Sequence, residues 1–105
     1  MRFAFECAAG THRGCVRTRN EDSHLCDLEA GVFAVADGMG GEAAGDYASA
    51  EVVRALGKVG AAPSAEDLLE RTRAQLCEAH RHLRHYAERR HARVVGATVV
   101  ILLVH

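Results

Sequence analysis

The chain has 105 residues, of which 49% are hydrophobic and 26% charged, with a net charge of −1. That is enough chain for one domain, and the composition excludes a chain disordered throughout. The near-zero charge argues against a nucleic-acid or anionic-membrane partner, and no apolar run approaches the ~20 residues of a spanning helix. The longest run, Val94 to Val104, is interrupted by Gly96 and Thr98, and Met1 to Gly10 is too short and, through Glu6, too acidic for a signal peptide. These features predict a cytoplasmic protein.

Phe3 to Ala9 alternates apolar and polar residues as a strand does, and Gly10 to Asn20 is a polar loop or irregular strand. Ser23 to Leu28 is a weaker strand candidate, followed by a turn at Gly31. Val32 to Ala36 is a run of five apolar residues with the Val and Phe content of a buried strand. The glycines of Asp37-Gly38-Met39-Gly40-Gly41 predict its end at Asp37. A helix is predicted from about Ala43 to Leu56, because Ala44, Tyr47, Ala48, Val52 and Leu56 share one face. Gly57, Gly60 and Pro63 end it. Ser64 then caps a long helix running to about Arg90, with a stripe of Ala65, Leu68, Thr72, Leu76, Ala79, Leu83 and Tyr86. Val94 to Val104 returns to strand. The order predicts an α/β (α+β) fold in which two helices pack on an antiparallel sheet.

Cys7, Cys15, Cys26 and Cys77 show no two-residue gap between any pair, and they are expected as free, mostly buried thiols. Arg71 to Arg93 holds seven arginines and four histidines, diluted by Glu78 and Glu88 and, just before and within its start, by Glu66, Asp67 and Glu70. It reads as a solvated helix face, not a nucleic-acid surface. His82 and His85 are the only histidine pair at i,i+3 spacing, and a structural role outweighs metal ligation.

Two segments carry chemistry: Arg17-Thr18-Arg19-Asn20-Glu21-Asp22 and Val35-Ala36-Asp37-Gly38-Met39-Gly40-Gly41. A carboxylate at the end of a buried strand is costly unless its charge is compensated, and a hard divalent cation does this through oxygen ligands. Glu21 and Asp22 supply further oxygens if their strand lies beside Asp37, the glycines let a main-chain carbonyl face the cation, and Arg17 suits a phosphate. Singly, each piece is ordinary: Asp-Gly is usually a turn, and Arg17 with Glu21 would be a surface ion pair of little worth.

Together the segments resemble the type 2C (PPM) serine/threonine protein phosphatases, especially bacterial ones. The resemblance rests on Thr11, Gly14, Val16, Arg17, Asn20, Glu21 and Asp22, then Phe33, Val35 to Gly41, Ala44, Gly45, Ala48, Ser49 and Gly96 to Val100. It runs from about Phe5 to the C-terminus and implies a part of the family's αββα sandwich, residues 1–105 being a truncated N-terminal portion. It implies that Asp37 bridges two Mn²⁺ or Mg²⁺ ions, that Glu21 and the Gly38 carbonyl ligate the second ion, and that Asp22 orients metal-bound water from the outer shell. Arg17 would bind the phosphate of a phosphoserine or phosphothreonine protein, the product of an opposing kinase pathway. The sequence departs from the family at Met39, where many eukaryotic members have His, and in lacking the later Gly-Asp-Ser-Arg-like strand and two metal-ligand aspartates. The expectation is therefore at most one weakly held ion and little activity from the isolated chain. A non-catalytic relic, or a module binding a phosphoprotein or other partner, is the alternative.

Overall fold

The structure, a computed structural model, describes residues 22–40, 44–92 and 94–105. The expected strand Phe3 to Ala9 and the loop Gly10 to Asn20 lie outside them. The described elements are β1 (Asp22–Asp27), β2 (Val32–Met39), α1 (Ala44–Leu56), α2 (Ala65–Arg89) and β3 (Gly96–Leu103). They form a three-stranded antiparallel sheet in the order β1-β2-β3, with both helices on one face. None of the described helices is long and apolar enough to cross a membrane.

Period-two alternation sets which residues reach the helices. Val32, Ala34 and Ala36 are buried, while Val35 and Met39 on the opposite face are exposed. The buried set packs on Ala48, Val52, Ala55 and Leu56 of α1 and on Leu68, Ala79 and Leu83 of α2, with Leu25, Val99 and Ile101 partly buried around it. The expected stripes hold on both helices except at Ala65, which is exposed.

Local chemistry fixes the ends. Gly31 adopts φ +75, and a Cβ there would stand 2.0 Å from the Val104 carbonyl oxygen, so only glycine lets β1 turn into β2 beside the end of β3. The Ser64 side chain accepts from the Asp67 amide at 3.0 Å, the N-cap its position predicts. Between the helices, Arg71 Nη1 donates to the Ala61 carbonyl at 3.0 Å. Tyr47 and Tyr86 stack across the helix pair with centroids 3.9 Å apart.

Two expectations need correction. β2 does not stop at Asp37; it continues to Met39 because β3 pairs with it there, Asp37 opposite Thr98, Gly38 opposite Ala97 and Met39 opposite Gly96. Ladder hydrogen bonds to a neighbouring strand outweigh the weak strand preference of one glycine. The cysteines are not all buried thiols either. Cys26 is disulfide-bonded, and Cys77 is free but exposed. Cys26 lies on the exposed face of β1.

Leu56 is fully buried, so Leu56→Ala should lower stability by about 2–5 kcal/mol. Ser64→Ala should cost about 1 kcal/mol through the lost cap. Chemical denaturation measures both, and a loss well under 1 kcal/mol at Leu56 would place it outside the core.

Candidate metal centre

The sheet register assembles the site. Asp22 stands directly opposite Asp37, and Asp37 directly opposite Thr98. Directly opposed residues project to the same face, so this row crosses the sheet on the side away from the helices. Asp22 and Asp37 are both half-buried. Below them on the same face lie the rows His24–Val35–Val100 and Cys26–Phe33–Leu102. The outer face is thus acidic at one end and apolar along its middle, where Val35, Val100 and Leu102 are exposed.

The helix face holds this row in place. Gly38 is buried where β2 passes the first turn of α1, and a Cβ there would lie 1.9 Å from the Gly45 carbonyl oxygen. Glycine at position 38 therefore lets β2 and α1 approach closely behind Asp37. Next to Asp22, Ser23 Oγ lies 2.9 Å from Ser49 Oγ, and Ser49 Oγ donates to the Asp46 carbonyl at 3.3 Å. This link ties the start of β1 to α1 through a serine with no exposed surface.

Of the residues predicted for the site, Asp22, Asp37 and Gly38 come together as described, while Arg17 and Glu21 lie outside the described residues. Asp22, expected as an outer-shell group, is the residue in register with Asp37. Thr98, Ser23 and Ser49 were not singled out as site residues. Thr98 belongs to the row through strand register alone, and the two serines meet across 26 residues of sequence.

Like charges directly opposite each other on a sheet are unfavourable, and a cation between them reverses the sign of that interaction. Two oxygen donors at one end of a sheet face suit a hard divalent ion. Among the described residues, no three His, Cys, Asp or Glu side chains converge on a metal position. Asp22 and Asp37 thus bring two carboxylates to one end of this face.

No family model matches the chain. Among solved structures, it superposes on PppA, described as a key regulatory component of the T6SS in Pseudomonas aeruginosa, with a TM-score of 0.88 and 40% identity. That match covers 93% of this chain and 43% of PppA. The catalytic domain of the serine/threonine protein phosphatase PstP, in complex with 2 manganese ions, matches with a TM-score of 0.80 and 33% identity, over 93% of this chain and 42% of that one. Over that length the chain is similar in both fold and sequence to type 2C (PPM) serine/threonine protein phosphatases. PstP of Mycobacterium tuberculosis is also 53% identical to this chain over 49 residues, which are 47% of the chain and 9% of PstP. The chain thus spans less than half of each solved neighbour and a tenth or less of the curated relative it matches.

Gly38→Ala should destabilise the protein by about 1–3 kcal/mol or more, because the added methyl meets backbone that cannot rotate away. Denaturation of this variant against wild type checks it, and unchanged stability would show that Gly38 does not set the spacing of β2 and α1.

Proposed function

We propose that this chain is the N-terminal portion of a metal-dependent serine/threonine phosphoprotein phosphatase domain, acting on phosphoserine and phosphothreonine proteins in the cytoplasm. The observation that carries the reading is the in-register pair Asp22 and Asp37 on one sheet face, in a fold matched by manganese-bound PstP. Asp37 would hold both ions, with Glu21 and the Gly38 carbonyl completing contacts to one. Asp22 would orient water through a hydrogen bond from the outer shell. Arg17 would hold the substrate phosphate by paired N–H contacts. Bound Mn²⁺ or Mg²⁺ supplies a more acidic water and charge stabilisation for in-line attack at phosphorus.

Among the described residues Asp37 is the one side chain proposed as a direct ligand, and no three His, Cys, Asp or Glu side chains converge there, so they would make one incomplete ion site. The exposed apolar rows at Val35–Val100 and Leu102 mark where a second layer of a longer family member would pack. The 105-residue chain is therefore expected to bind Mn²⁺ weakly and to turn over a phosphomonoester slowly or not at all.

Titration calorimetry with Mn²⁺ and a phosphatase assay, each beside Asp37→Asn, test this. The substitution should remove whatever Mn²⁺ binding is seen. In a chain extended to the full family length, it should lower turnover by orders of magnitude. Mn²⁺ binding that survives the substitution would move the centre elsewhere. Phosphopeptide binding without turnover in the extended chain would favour the non-catalytic module instead.

A further inference from the structure

We propose that His82 is a proton-dependent clamp between the two helices, a regulatory device separate from the metal centre. His82 Nδ1 lies 2.7 Å from Glu51 Oε1 on α1, and His82 Nε2 lies 3.2 Å from Glu78 Oε1 on its own helix. Both ring nitrogens therefore face carboxylate oxygens. A carboxylate can only accept, and a neutral imidazole carries one N–H, so the neutral ring satisfies one contact and sets a lone pair against an oxygen at the other. The imidazolium donates to both, and both bonds are charge-assisted.

The surroundings define the clamp. From α1, Arg54 donates to Glu51 through Nε at 3.0 Å and Nη2 at 2.5 Å, and Arg54 Nη2 also lies 3.4 Å from His82 Nδ1. That contact opposes protonation of the ring, but it is longer than the 2.7 Å contact to Glu51, and the guanidinium is already engaged by the carboxylate. From α2, Arg81 pairs with Glu78, and Lys58, just past α1, adds positive charge near Glu78. Glu51 is itself only 7% exposed, so its charge depends on these partners. The Arg54 hydrogen bond holds the Glu51 carboxyl below its usual range, against burial, which raises it, and with help from His82.

The sign of each limit follows. A carboxyl with a depressed folded-state pKa adds stability above the ordinary carboxylate range of about 4.3, and that stability is lost as pH falls through the lower folded value. The His82 contribution needs the proton and disappears once the ring is neutral. The clamp thus acts only while the ring carries its proton and Glu51 its charge, and it joins α2 to the helix that packs behind Gly38.

The experiment is thermal unfolding of the full chain and of His82→Gln at pH 6 and pH 9. The variant should melt about 5 °C lower than wild type at pH 6, a gap closing to about 1 °C at pH 9. His85→Gln, on an exposed position of the same helix, should show no such pH-dependent gap. In a Glu51→Gln background the His82 effect should largely vanish. If that background does not fold, Glu78→Gln, at a half-exposed carboxylate, should reduce the gap instead. A His82 gap equal at both pH values, or undiminished in these backgrounds, would overturn the proposal.

Discussion

β2 is hydrogen-bonded along both edges, to β1 and to β3, and every other feature of the structure follows from that register. A strand paired on two sides cannot slip by one residue without exchanging its faces. Here the register sends Val32, Ala34, Ala36 and Gly38 towards the helices and leaves Phe33, Val35, Asp37 and Met39 on the other side. The same pairing brings Asp22 and Thr98 into line with Asp37. The acidic end and the apolar middle of the outer face are thus two consequences of one backbone constraint.

The helix layer secures that constraint through small residues. Alanines at 34, 36, 48 and 55 and the Gly38–Gly45 approach let α1 lie close against the sheet. Close packing gives the buried atoms many short dispersion contacts, and it leaves little room for added volume. The Ser23–Ser49 hydrogen bond satisfies buried hydroxyls while fixing the strand that carries Asp22. Rigidity near the acidic row therefore comes from behind the sheet.

The contact between the helices has a different character. Leu68, Ala79 and Leu83 join the apolar core, but Glu51, Arg54, Glu78, Arg81 and His82 form a charged network along its margin. A nearly buried glutamate in such a network is favourable only while its donors remain in place, because removing one leaves a charge with too little solvation. The helix pair is accordingly held by apolar packing at its centre and by charge along its margin.

Much of the fold was legible in the chain. Helix faces followed from three- and four-residue spacing, the α2 start from Ser64, and the central strand from its apolar run, because these signals are local and depend only on backbone periodicity. The two motifs around Asp22 and Asp37 carried the family resemblance that the solved neighbours share, since glycine and carboxylate at fixed spacing are a local signal. Sequence reading ended β2 two residues early, because the partners that extend it, Gly96 to Thr98, are some 60 residues away along the chain. It treated the charges on α2 as a solvated face, because the Glu51–His82 contact joins residues on different helices. Residue types and periods were thus determined by the sequence itself. Which carboxylate stands opposite Asp37, which serines meet behind it and which histidine bridges two glutamates were decided only by strand register and helix packing, since those bring together atoms the chain order keeps apart.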